Sequence, residues 1–161
     1  MFKLEELYNK AIQEHDDRYK LQGKIKWHDL IIDVENKKGT YRKGKDADGN
    51  EWKTYMNCAY GYIKNTSTQS DNEEVDVYYL SNKDVPFVYQ IFQNTKQKNG
   101  KFVHILDEYK YIIGASSKKE AKNLYLSQYD SPKFYGGIKA IPVKEFVNHI
   151  KDYLRKKEKN V

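Results

Sequence analysis

The sequence predicts an α+β domain: a small barrel of short strands with helices packed outside it. Three observations point there. The 161 residues suit one domain around one core. Short runs rich in β-branched and aromatic residues alternate with turn signals through the middle of the chain. Apolar residues at helical spacing mark both ends.

Phe2, Leu4, Leu7, Tyr8, Ala11 and Ile12 predict an amphipathic helix over 2–20, within an N-terminal segment 1–22 that Gly23 closes. "IKWHDLIIDVEN", Ile25 to Asn36, reads as one strand. "DADGN", Asp46 to Asn50, is a turn joining "GTYRKG" and "EWKTYM" in a hairpin. It is not a calcium loop, because Glu51 and Asn57 stand where that loop needs Gly and Glu. "EVDVYYL" (Glu74 to Leu80), "PFVYQIFQ" (Pro86 to Gln93), "FVHIL" and "YKYIIGA" read as further strands, with a turn at Lys98 to Lys101. Ser117 and Glu120 form a capping box that opens a helix near 117–129. "GGIKAI" is a short strand, and Pro142 occupies a first helical position ahead of a C-terminal helix over 142–157. The expected organisation is thus a single domain over 1–161, its barrel spanning 25–141.

Hydrophobic residues make up 39% and charged residues 32%, a globular balance that excludes a disordered chain. The single cysteine, Cys58, excludes an intrachain disulfide and reads as a small buried hydrophobe in a reducing compartment, the cytoplasm. No signal peptide is legible, and no window approaches the ~20 apolar residues of a membrane helix. A formal charge of +6 favours anionic partners such as nucleic acid, nucleotide or phosphate, although the basic tail Arg155 to Asn160 reads as a solvated helix end.

Against that charge, Asp71, Glu73, Glu74 and Asp76 crowd together before an apolar strand. Two carboxylates ~4 Å apart repel by about 1 kcal/mol in water and about 4 kcal/mol at an effective dielectric of ~20. A solvated loop tolerates that; a cleft needs cations or a shared proton. Glu74, Asp76 and Tyr78 share one strand face. Carboxylates converging there suit magnesium, which takes oxygen ligands. A solvated acidic loop is the alternative, and Asp33 and Glu35 are either further ligands or the solvated face of a strand.

"YGYI" (Tyr60 to Ile63), then Thr66, then D-x-E-x-x-D-V (Asp71 to Val77) resembles the soluble inorganic pyrophosphatases, whose signature is Y-G-Y-I followed by D-G-D-P-V-D-V. Asp71, Glu73 and Asp76 fall on its three aspartates. The wider pattern is most similar to small pyrophosphatase-like domains of phages and mobile elements: Gly39, Arg42 and Gly44; Asp48, Gly49 and Trp52; Met56; Val88 and Gln90; Asp107, Glu108 and Lys110; Ala121 and Tyr125. The resemblance implies a five-stranded barrel of the oligonucleotide/oligosaccharide-binding type with flanking helices. It implies hydrolysis of pyrophosphate or another small phosphorylated substrate, with Mg2+ or Mn2+ and a metal-bound water as nucleophile. It implies metal ligation by Asp71, Glu73, Asp76, Asp107 and Glu108. Catalytic roles fall to Glu73, which orients the water, to Tyr60 beside it, and to Lys110 and Arg42 on phosphate; Lys133 and Tyr135 match a late family position only loosely. Glu73 for Asp, with Asn72 and Glu74 for Gly and Pro, departs from the signature. The alternative function is therefore a non-catalytic module that binds phosphate, nucleotide or single-stranded nucleic acid by stacking and phosphate contact. A third is an accessory protein of a mobile element that docks on a host partner through its helices.

Overall fold

The computed structural model describes residues 21–66 and 74–159. Among them are nine strands: β1 (Gly23–Trp27), β2 (Leu30–Asn36), β3 (Tyr41–Lys45), β4 (Glu51–Tyr55), β5 (Ala59–Ile63), β6 (Val75–Tyr79), β7 (Phe87–Lys96), β8 (Phe102–Ile113) and β9 (Tyr135–Pro142). Two α-helices follow the main strands, α1 (Lys118–Ser127) and α2 (Val143–Lys159), with a 3-10 turn at Pro132–Phe134. The predicted N-terminal helix over 2–20 lies outside the described residues, as do Asp71 and Glu73.

The α+β class holds, but the five-stranded barrel does not. Seven strands form one open sheet in the order β1-β2-β5-β6-β8-β7-β9, and β3 and β4 form a separate hairpin. The sheet stays open because its ends do not meet: β1 pairs only with β2 and β9 only with β7. Consecutive residues of the central strands enter two different cores, one under each helix. Tyr60, Tyr78, Tyr89 and Ile112 pack with Leu124 and Tyr125 of α1. Ile63, Val77, Val88 and Ile113 pack with Phe146, Val147 and Ile150 of α2. The sheet is antiparallel except for the parallel pair β6 and β8.

Two segments differ from the sequence expectation. The strand expected over 25–36 is two strands, because His28 and Asp29 take φ of 47° and 64° and reverse the chain between Trp27 and Leu30. The two strands expected at 102–106 and 109–115 are one, so Asp107 and Glu108 lie inside β8 and not in a turn. Ser117 caps the helix as expected, its hydroxyl accepting from Glu120 N (3.1 Å), but the Glu120 carboxylate accepts from Ser116 N (2.9 Å), one residue before the cap, and not from Ser117 N. Pro142 ends β9 instead of opening α2, and Val143 N donates to Pro86 O (3.0 Å).

Candidate active site

Lys110 stands at the centre of the polar cluster. It is 2% exposed and lies on β8, one strand repeat before Ile112 on the face that α1 covers. Its ammonium donates to Tyr60 Oη (2.6 Å) and Asp76 Oδ2 (3.0 Å) and pairs with Glu108 Oε1 (2.7 Å). Sheet register assembles this group. Tyr60, Tyr78 and Ile112 are aligned across β5, β6 and β8, and Tyr62 is aligned with Asp76. Because β6 and β8 are parallel, Asp76 and Lys110 each precede that row by two residues and meet at one level.

Burial alone opposes a charged Lys110, but Tyr60, Tyr129, Asp76 and Glu108 outweigh it and hold the ammonium well above its ordinary range. Burial also raises the Tyr60 phenol, against the pull of Lys110. Tyr60 is therefore neutral near neutral pH, and the counter-charge to Lys110 comes from the two carboxylates. An ammonium has three N–H donors, and three acceptors take them here.

The β3–β4 hairpin roofs the cluster. The Arg42 guanidinium lies 4.2 Å from the Tyr60 ring centroid and 5.5 Å from that of Trp52. Trp52 crosses the hairpin onto Gly44, where an added Cβ would sit 2.3 Å from the indole. The glycine of R-x-G thus makes room for the ring that supports Arg42. Gly61 of Y-G-Y-I is equally structural: a Cβ there would lie 2.0 Å from Asp33 O on β2.

Bulges aim the remaining carboxylates. Glu35 is the extra residue between the Val34–Gly61 and Asn36–Tyr60 pairs. Its carboxyl is raised by burial first and then by Asp76, while Arg42 and Lys110 oppose the rise. Asp107 is the extra residue of β8 between the Gln93–Glu108 and Asn94–Leu106 pairs. Gln93 Nε2 donates to Asp107 Oδ2 (3.2 Å) and Glu108 Oε1 (3.4 Å), and its Oε1 accepts from Tyr125 Oη (2.8 Å). A chain thus runs from α1 through Gln93 to the carboxylate that holds Lys110.

Of the residues expected at the site, the fold brings together Arg42, Tyr60, Asp76, Glu108 and Lys110. Asp107 is adjacent and held by Gln93. Asp33 is held elsewhere, on Lys24 (2.8 Å). Lys133 and Tyr135 pack with Asn94 and Lys122 instead of Lys110. The Thr66 hydroxyl accepts from Val75 N (2.8 Å) and donates to Ile63 O (2.6 Å), closing the base of the segment that carries Asp71 and Glu73. Sequence reading missed Gln93, Tyr129 and the bulge at Glu35. Tyr129 contacts Tyr78, hydroxyl to hydroxyl, at 3.1 Å; its only sequence signal was its place one helical turn after Tyr125.

Among the described residues, no three His, Cys, Asp or Glu side chains form a metal-holding group. The described donors are nonetheless of the kind a hard cation takes: carboxylate oxygens of Asp76 and Glu108, with the repelled carboxyl of Glu35 beside them. Magnesium needs only one or two carboxylates per ion, so this donor set fits it.

No curated protein and no solved structure matches the chain. The family model of inorganic pyrophosphatase matches residues 11–151, which include every strand described above. The chain therefore belongs to the inorganic pyrophosphatase family.

Proposed function

We propose that this chain hydrolyses inorganic pyrophosphate, or a related phosphoanhydride, at the Lys110 cluster with the help of Mg2+ or Mn2+. The observation that supports this reading is a single buried ammonium that gathers Tyr60, Asp76 and Glu108 from three neighbouring strands beneath Arg42. Family membership supplies the reaction class.

Asp76 and Glu108 would hold the cation, joined by Asp71 and Glu73, with Asp107 at the rim. When bound, a divalent cation neutralises phosphate charge and lowers the pKa of water. The protein's own share is positioning and charge. Arg42 offers a planar guanidinium suited to phosphate oxygens. Tyr60, wedged between Arg42 and Lys110, fixes the spacing of the two cations. Lys110 can take a phosphate oxygen only by releasing one of its three present acceptors. Glu73 would orient the attacking water, one methylene further from the backbone than the family's aspartate.

That substitution favours a second reading, a phosphate- or nucleotide-binding module without turnover, since a displacement of ~1 Å can cost ~100-fold in rate. Phosphate release from pyrophosphate under Mg2+ or Mn2+ separates the two. Hydrolysis by the parent, lost in Asp76→Asn and in Glu73→Gln, supports the enzyme; no release under either metal, with pyrophosphate still bound, supports the module.

A further inference from the structure

The β3–β4 hairpin uses one of its faces at the Lys110 cluster and leaves the other bare. Strand alternation puts Arg42, Gly44, Trp52 and Thr54 on the inner face, where Arg42 lies over Tyr60. The hairpin is pinned on that side: Thr54 Oγ1 donates to Gln128 O (3.4 Å), and Gln128 Nε2 donates to Tyr55 O (3.4 Å). The outer face sets Tyr41, Lys43 and Lys45 of β3 against Tyr55, Lys53 and Glu51 of β4, and all six are exposed.

Two of these cross-strand pairs do nothing for the hairpin's stability that burial or charge balance would explain. Tyr41 and Tyr55 are directly opposite each other, 51% and 53% exposed, with ring centroids 5.5 Å apart in an edge-to-face arrangement. Lys43 and Lys53 form the next pair, and no ion pair of the described residues reaches either. Like charges directly opposite on neighbouring strands destabilise a sheet. A bound anion removes that cost. Glu51 lies opposite Lys45, so charge is balanced at the turn end and the unbalanced charge sits beside the tyrosines. Lys53 Nζ also lies 4.6 Å from the Tyr41 ring centroid, which ties the ammonium to the aromatic pair. Strand spacing separates the tyrosine and lysine pairs by about 7 Å, a span that the base and phosphate of one nucleotide bridge.

We propose that this outer face binds single-stranded nucleic acid, with Tyr41 and Tyr55 stacking on bases and Lys43 and Lys53 taking phosphates. Stacking requires unpaired bases, which a duplex keeps inside its own stack. An acidic peptide would satisfy the lysines and leave the rings unused. The face points away from the Lys110 cluster, so the inference does not rest on the hydrolase reading.

Fluorescence anisotropy of the whole protein with a short labelled strand of deoxythymidine tests it, in EDTA so that no metal joins phosphate at the Lys110 cluster. Tyr41→Ala combined with Tyr55→Ala should weaken binding at least about tenfold, and the two Phe substitutions should keep it within about twofold. Lys43→Gln combined with Lys53→Gln should flatten the slope of log K against log salt by about 1.4, two phosphate contacts at ~0.7 each. All four side chains are exposed, so circular dichroism of the variants should match the parent. Alanine variants that bind like the parent would overturn the site, and so would a salt slope that the glutamine pair leaves unchanged. Poly-glutamate, which carries charge without bases, should compete far less well than unlabelled strand; equal competition would overturn the stacking role.

Discussion

Replacing Lys110 by methionine removes the ammonium and keeps a side chain of similar length. Removing one partner of a buried ion pair costs ~3–5 kcal/mol when the remaining charge stays buried. Here the remaining charges are the side chains of Asp76 and Glu108, 17% and 28% exposed, which water can partly reach. The loss therefore falls at the lower end, about 3 kcal/mol. For a chain of this size ~1 kcal/mol shifts Tm by ~2–4 °C, so thermal unfolding by circular dichroism should move down by about 6–12 °C. Lys110→Met also leaves two carboxylates facing each other without a counter-charge. Added Mg2+ should recover more of the lost Tm in the variant than it adds to the parent, because a ligand that binds only the folded state stabilises it. A Tm within ~2 °C of the parent in EDTA would refute the account of Lys110 as the clamp of this site.

Three further outcomes follow from particular contacts. Gly61→Ala drives a methyl group toward Asp33 O, where the gap is 2.0 Å, and backbone cannot yield as a side chain can. Overpacking of this kind costs at least ~1–3 kcal/mol, so urea unfolding should show a lower midpoint; an unchanged midpoint contradicts the tight β2–β5 contact. Burial pushes the Cys58 thiol from 9.0 up to about 12, so folding favours the neutral thiol. Its stabilising contribution is complete below about pH 9 and is lost as pH climbs toward about 12. The Tm of the parent should accordingly fall more steeply over that window than that of Cys58→Ala, and parallel curves would contradict it. Gln93→Leu cuts the link between Tyr125 and Glu108; kcat for pyrophosphate should drop on the order of tenfold, an effect of ~1.4 kcal/mol, and an unchanged kcat would remove Gln93 from the positioning network.

The cluster was legible in the sequence because its members sit in short motifs: Tyr60 in Y-G-Y-I, Asp76 in the acidic run, Glu108 and Lys110 in D-E-x-K. Each strand's local pattern then fixed which face its side chain takes. The sheet was less legible. A run such as "VDVYY" sends Val77 into one core and Tyr78 into the other, which fits an open sheet covered on both faces. Reading the same run as a barrel wall required only local information, whereas the parallel β6–β8 pairing joins residues 34 positions apart, as in the Asp76–Lys110 contact. The bulges at Glu35 and Asp107 carry no glycine or proline to announce them. The turn at His28 and Asp29 was hidden because no glycine marks it: both residues take positive φ, as Asp and His do more readily than most, but without the usual glycine signal.

The proposed reaction requires phosphate to be held where Arg42, Tyr60 and Lys110 meet the carboxylates of Asp76 and Glu108. A crystal structure with Mg2+ and imidodiphosphate, a pyrophosphate analogue whose bridge resists hydrolysis, would locate that phosphate. Phosphate oxygens should lie ~3 Å from Arg42 and Lys110, with the cation between them and the two carboxylates. A ligand bound elsewhere, with Lys110 still closed on Tyr60, Asp76 and Glu108, would contradict it.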